Sequence, residues 1–421
     1  MNFNTICVVG LGYIGLPTAT MFASRRKKVI GVDVTQSVVD TINRGEIHIV
    51  EPDLDIAVRA AVKEGSLHAT TRPEPADAFL VAVPTPFKKG QKESDIPTPD
   101  LSYIQAAADA IAPVLQKGNL VILESTSPVG TTEQMAEWLA AARPDLSFPQ
   151  QTQDEADILV AHCPERVLPG RVMQELIEND RIIGGITERC SQAACDLYKT
   201  FVKGECLLTN ARTAEMTKLT ENAFRDVNIA FANELSLISD ELKLDVWEVI
   251  RLANHHPRVN ILTPGPGVGG HCIAVDPWFI VSAAPSASRL IRTAREVNDG
   301  KPAHVAGQVV AKAARFVSPT IACLGLAFKA NIDDLRESPA VEVVRSIAMA
   351  LPDVTILAAE PYASDLPISL ADLPNVRFAR AEDALDEADI VALLVDHDQF
   401  RSLNRSLLNG KVVYDTRGIW R

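Results

Sequence analysis

The sequence has no CxxC pair, no Cys/His cluster at metal-ligand spacing, no apolar run long enough to span a membrane, and fewer basic than acidic residues. Each absence removes a class of function. Seven cysteines, an odd number without paired spacing, fit reduced thiols in a reducing compartment better than a disulfide scaffold or structural zinc. No metal is expected. With 41 Lys+Arg against 54 Asp+Glu and a formal charge of −13, the average field repels nucleic acid and anionic lipid surfaces. An anionic ligand would therefore need cations gathered locally. The opening MNFNTICVVG runs straight into a strand-like segment, with no basic leader and no apolar leader core, so a cytoplasmic protein is expected.

What is present is a chain of 421 residues, 47% hydrophobic and 23% charged, with a mean hydropathy of +0.07. That composition predicts buried cores, and the length predicts two or three domains. Short β-rich apolar runs at 6–10, 29–33, 79–83, 120–124 and 158–162 alternate with helical stretches, the pattern of a parallel α/β sheet. From about residue 213, AEMTKLTENAFRDVNIAFANELSLISDEL lacks Gly and Pro and carries apolar residues at helical spacing, which predicts one long helix able to bridge two domains. Strand-like runs return at 320–326, 354–357, 390–395 and 412–414, with a helix expected at 340–351. The predicted fold is α/β, with two Rossmann-like parallel sheets joined by a central helical region. Its expected domains are 1–205, 206–305 and 306–421.

Gly10, Gly12 and Gly15 form GxGxxG directly after the first strand. Small residues there permit a tight turn, close approach of the backbone to a pyrophosphate, and a helix N-terminus facing the anion. Asp33 ends the next strand, eighteen residues beyond Gly15; a carboxylate there bonds a ribose hydroxyl and repels a 2′-phosphate. NAD is the expected cofactor, with flavin as the competitor and structural turn glycines as the plain alternative.

The segment 264–277, PGPGVGGHCIAVDP, holds too many Gly and Pro residues for a helix or central strand. Cys272 follows its double glycine, where backbone amides can approach whatever the sulfur attacks, and a thiolate is a strong nucleophile. The alternative is a small buried hydrophobe, the reading adopted for Cys7, Cys163, Cys190, Cys195, Cys206 and Cys323. Lys218 and Asn222 stand four apart on the long helix, so an amine and an amide share one face; alone, such a pair equally describes a solvated surface. His255, His256 and His271 lack the ligand-spaced partners a metal requires.

GLGYIG, ILESTSPVG, CPERVLPG, AEMTKLTENAFRD, PGPGVGGHCIAVDP and GLAFKANIDDLRESPA, in that order along nearly the whole chain, resemble the UDP-glucose/GDP-mannose dehydrogenase family. The resemblance implies a four-electron oxidation of a UDP-sugar at C6, with two NAD and one water consumed and the aldehyde held as a Cys272 thiohemiacetal and then a thioester. It implies Lys218 as base or oxyanion partner, Asn222 as its helper, Asp276 as the acidic partner of Cys272, and Thr126 and Glu165 as organisers of water. By the same resemblance, Tyr13, Ile14, Pro84, Thr85, Ser125, Thr126 and Arg336 join the glycine turn and Asp33 around NAD. Glu165, Arg166, Val167, Lys218, Asn222, Arg258, Gly269, Gly270, Phe328 and Lys329 surround the UDP-sugar. The domain 1–205 then binds NAD, 206–305 carries the cysteine loop and dimer contacts, and 306–421 binds the UDP-sugar.

Two positions depart from glucose-oxidising relatives: Val275 replaces a lysine and Pro169 a second glutamate, leaving the hydrolytic base open. PERVLPG resembles the branch acting on N-acetylated hexosamines. UDP-N-acetyl-D-mannosamine is therefore the expected substrate, with UDP-N-acetylglucosamine and UDP-glucose as alternatives. The resemblance further implies a homodimer, with Arg258 able to reach the neighbouring subunit's substrate, and a role in surface-polysaccharide synthesis such as that of enterobacterial common antigen. Two competing classes remain: a two-electron hydroxyacid-type dehydrogenase, which would not need Cys272, and a non-catalytic NAD or UDP-sugar sensor.

Overall fold

The computed structural model describes residues 3–90, 95–168, 170–270 and 272–420. Among these residues thirteen strands form two sheets. The first sheet contains β1 (Thr5–Val9), β2 (Lys28–Val32), β3 (Leu67–Thr70), β4 (Ala78–Val81), β5 (Leu120–Leu123), β6 (Leu159–His162), β7 (Arg181–Gly185) and β8 (Cys206–Asn210). The second contains β9 (Thr320–Leu324), β10 (Thr355–Ala359), β11 (Val376–Phe378), β12 (Ile390–Leu393) and β13 (Val412–Asp415).

The central strands are apolar along their whole length because helices cover both faces. Alternation then sends successive side chains to opposite cores. Ile6 and Val8 enter one core with Phe22 and Tyr198, while Cys7 and Val9 enter the other with Phe79 and Met135. The second sheet repeats this division, Ile321 and Cys323 on one side and Ala322 and Leu324 on the other.

The first sheet runs β3-β2-β1-β4-β5-β6-β7-β8 and the second β11-β10-β9-β12-β13. In each, the order reverses beside the strand that precedes a glycine turn, the place where open α/β sheets bind nucleotides. The expectation of a parallel sheet fails at one junction, since β7 pairs antiparallel with β6. The connection there is an irregular loop and a single seven-residue helix, Val172–Glu178, not a full crossover helix.

The long helix spans Ala211–Leu242, 32 residues, or about 48 Å. The chain divides into two compact units, Met1–Glu221 and Asn222–Arg421, with the boundary inside this helix. In the second unit the helix buries Asn222, Asp226, Asn233 and Ser236 and exposes Phe224, Phe231, Ile238 and Leu242. Among the described residues, no helix is long and apolar enough to cross a membrane.

Candidate active site

In the first unit, Gly10 adopts φ +94° and its N–H donates to Val32 O at 2.8 Å. A Cβ on Gly10 would lie 2.4 Å from Ala82 O, and one on Gly15 only 1.8 Å from Gly10 O, while Gly12 faces open space. The three glycines thus do different work: two close the turn and the middle one leaves room for a ligand. The helix Gly15–Ser24 that follows has no side-chain cap and no acid in its first turn, so its positive end is not neutralised from within. We expect Gly15→Ala to weaken NAD binding by at least about tenfold, because the turn must open to admit the methyl. A fluorescence titration with NAD, run beside a melting curve, checks this.

Asp33 follows β2 and accepts from the backbone N–H groups of Leu11 at 3.2 Å and Thr35 at 2.9 Å, which fixes the carboxylate beside the glycine turn. Tyr13 is exposed and Ile14 half-buried. Residues named at the ends of β4 and β5 are tied together: Thr85 Oγ1 donates to Thr126 O at 2.6 Å, and Ser125 Oγ to Val83 O at 2.7 Å. Pro84 is exposed.

Glu165 is buried, paired to Arg181 at 2.7 Å, and accepts the Arg166 N–H at 2.7 Å. Arg166 itself pairs with Glu221 at 2.7 Å, and Val167 packs against the core. Arg181 carries no motif around it and escapes sequence reasoning; only its burial under two aromatic rings, Tyr198 and Phe201, reveals it. Next to this pair, Glu124 accepts from Tyr198 OH at 2.5 Å. Burial, reinforced by the charge of Glu165, pushes its pKa up from 4.5 to about 8.

Between those values the folded chain holds a proton that the unfolded chain has released, so this group's contribution to stability falls as pH rises. Glu124→Gln keeps the protonated shape without the titration. It should flatten the pH dependence of melting temperature across that window and raise stability relative to wild type at the alkaline end.

In the second unit, Asn222 Nδ2 donates to Asp276 Oδ2 at 2.6 Å, with both residues buried. Asp276 opens the helix Asp276–Ala283, and its N–H donates to Cys272 O at 2.9 Å. Cys272 is exposed, unlike Cys7, Cys163 and Cys323, whose burial pushes each thiol up to about 12. The reading of the other cysteines as buried needs one correction: Cys206 is only half-buried, because β8 is an edge strand. Lys218, half-buried, lies one helical turn before Asn222.

Gly269 and Gly270 pack on Phe328: a Cβ on Gly270 would stand 3.1 Å from its ring, and one on Gly269 2.4 Å from Glu337 O. Lys329 and Arg258 are exposed. Arg336 makes a forked pair with Asp334 at 2.7 and 2.8 Å, so a phosphate would have to share or displace that partner. Arg417, not singled out by the sequence, donates to Pro264 O at 3.3 Å at the start of the cysteine loop. Its DTRG context carries no signal that composition or spacing would flag. The departure at Pro169 and the candidate ligand His271 lie outside the described residues. Among the described residues no group of three His, Cys, Asp or Glu could hold a metal ion.

The second sheet repeats the turn of the first without its later glycines. Gly325 adopts φ +92° and donates to Ala359 O at 2.8 Å, as Gly10 does to Val32 O. Glu360 accepts from Leu326 N at 2.7 Å and Tyr362 N at 3.1 Å, as Asp33 does from Leu11 and Thr35. Yet Ala327 and Ala330 replace those glycines, and the next helix begins only at Pro339. No helix N-terminus follows at once to hold a pyrophosphate, and side-chain cations such as Lys329 are the available substitute.

A complete dinucleotide turn, a modified second turn and a cysteine-bearing loop define a dehydrogenase class that works on a nucleotide-linked substrate. The UDP-glucose/GDP-mannose dehydrogenase family matches across the chain: its NAD binding domain over residues 4–202, its central domain over 212–300 and its UDP binding domain over 322–421. The chain is 66% identical to an NDP-N-acetyl-D-galactosaminuronic acid dehydrogenase of Ralstonia nicotianae, over 100% of this chain and 97% of that one. It is 62% identical to a UDP-N-acetyl-D-mannosamine dehydrogenase of Yersinia pestis, over 100% of both. A solved UDP-D-ManNAc dehydrogenase from Pyrococcus horikoshii superposes with a TM-score of 0.85 at 41% identity, over 99% of this chain and 96% of that one. The chain belongs to the UDP-glucose/GDP-mannose dehydrogenase family and is an NAD-dependent UDP-sugar dehydrogenase.

Proposed function

We propose that this enzyme oxidises the C6 alcohol of a UDP-N-acetylhexosamine, in the first place UDP-N-acetyl-D-mannosamine, to the uronate. The observation that carries the reading is an exposed Cys272 four residues before an Asp276 held by Asn222. NAD, when bound, accepts the hydride of each of two oxidations. One water enters, and two NADH and three protons leave with each carboxylate.

Lys218 takes the proton of the alcohol, with Asn222 steadying the developing oxyanion. Cys272 Sγ then adds to the aldehyde carbon. Loss of the second hydride from that adduct leaves a thioester, and water breaks the C–S bond to return the thiol. Thr126 and Glu165 orient that water; Glu165, paired with Arg181, serves as a fixed acceptor. Gly10, Gly12, Gly15 and Asp33 hold NAD, and Lys329, Arg258, Phe328, Gly269 and Gly270 hold the UDP-sugar. The functional partition is 1–205, 206–305 and 306–421.

The 66% identity to a relative named for N-acetyl-D-galactosaminuronic acid favours a second reading, the galacto isomer, which differs from the manno sugar at C2 and C4. Initial rates on UDP-N-acetyl-D-mannosamine, UDP-N-acetylgalactosamine, UDP-N-acetylglucosamine and UDP-glucose decide. Preference for the manno sugar by about tenfold or more supports the first reading, and preference for UDP-glucose would overturn both. The exposed apolar face of Phe224, Phe231, Ile238 and Leu242 supports a homodimer through the long helix, in the cytoplasm where NAD and nucleotide sugars are held.

A further inference from the structure

Both ends of the cysteine loop are tied to the long helix. At its start, Gly265 N–H donates to Asn233 Oδ1 at 2.9 Å; at its far end, Asp276 Oδ2 accepts from Asn222 Nδ2 at 2.6 Å. Asn222 and Asn233 are eleven residues apart, about three turns, so they occupy the same face. Between them Asp226 Oδ1 accepts from Asn298 Nδ2 at 2.8 Å and Arg295 Nη1 at 2.5 Å. Asn298 Oδ1 in turn accepts from Asn233 Nδ2 at 2.8 Å.

This chain of bonds leaves Asn233 no choice of orientation. Asn298 gives its amide N–H to Asp226, so its oxygen must receive the Asn233 nitrogen, and the Asn233 oxygen must face Gly265. Asn233 and Asp226 are fully buried, where an amide is retained only if every partner is present. An apolar residue at 233 would avoid the desolvation of an amide, but it would leave the Gly265 N–H without its acceptor at the start of the loop.

We propose that Asn233 is a positioning residue of the aldehyde-oxidising step: with Asn222 it clamps both ends of the segment that presents Cys272, and Asn298, Asp226 and Arg295 lock its amide. This rests on Cys272 being the nucleophile. The alcohol-oxidising step, which uses Lys218 and Asn222, does not depend on the clamp's Gly265 end.

The test is Asn233→Leu in the full-length enzyme, with semicarbazide present to trap released aldehyde. Expected are a first oxidation within about threefold of wild type, a second slowed by about tenfold or more, and semicarbazone that wild type does not form. Amide exchange should rise in peptides covering 265–275 and stay unchanged in those covering 234–242. Asn228→Ala, on the same helix, where the side chain donates outside the clamp to Phe224 O at 2.7 Å, should leave both oxidations intact. If Asn233→Leu does not fold, Asn298→Leu, which unlocks the amide but keeps the Gly265 acceptor, should give the same pattern more weakly. Equal loss of both steps, or no loss, with unchanged loop exchange overturns the proposal. Failure of the underlying reading would show separately, as uronate formation by Cys272→Ala.

Discussion

Cys272→Ala is expected to abolish carboxylate formation, lowering it by about 10⁴-fold or more, while NAD and UDP-sugar still bind. The reason is chemical. An aldehyde has no electron pair to expel a hydride until a nucleophile has added to it, and the thiol supplies that adduct and keeps the carbon attached to the enzyme. The side chain is exposed, so removing its sulfur leaves no cavity in a core and should leave the melting temperature within about a degree or two. The variant should reduce at most one NAD per sugar and release the aldehyde. An unchanged yield of uronate would remove Cys272 from the chemistry, whereas one NADH per sugar with the variant unaffected would place the protein with two-electron dehydrogenases.

Lys218→Met should show the complementary defect. Its target is the alcohol proton, so turnover of the UDP-sugar should fall by about 10²–10⁴-fold, while oxidation of the corresponding 6-aldehyde, supplied directly, should fall far less. Lys218 is half-buried on the long helix, and methionine keeps its length and helix propensity; a loss of folding is therefore not the expected cause. Together the two variants assign the halves of the reaction to different side chains. A Lys218→Met enzyme equally impaired on alcohol and aldehyde would remove Lys218 from the proton transfer.

Most of this architecture was legible in the residues because both sheets bury continuous apolar strands between helices. The strands at 6–10, 29–33, 79–83 and 120–124 fall within two residues of the observed β1, β2, β4 and β5. Those that escaped have physical reasons to be faint. β3 is a four-residue edge strand, LHAT, only partly buried, β7 ends in two glycines, β8 is a half-exposed edge whose leucines face outward, and β11 is only three residues long.

At the site, GxGxxG and the cysteine loop were readable because Gly and Pro are conspicuous where a turn or a close approach demands them. The pairing of Asn222 with Asp276 joins positions 54 apart, and that of Glu165 with Arg181 joins an irregular loop to a strand. No local pattern encodes either contact. Asn233 and Arg295 look like ordinary polar residues of helices until their burial is known. A polar residue facing a core is visible only when the core is.

The most direct measurement is a mass map of the enzyme quenched in acid during steady turnover. The account predicts a UDP-hexosaminuronoyl adduct on the peptide containing Cys272, present with substrate and NAD together and absent when either is omitted. An unmodified Cys272 peptide under conditions where two NADH form per sugar, or an adduct on another residue, would contradict it.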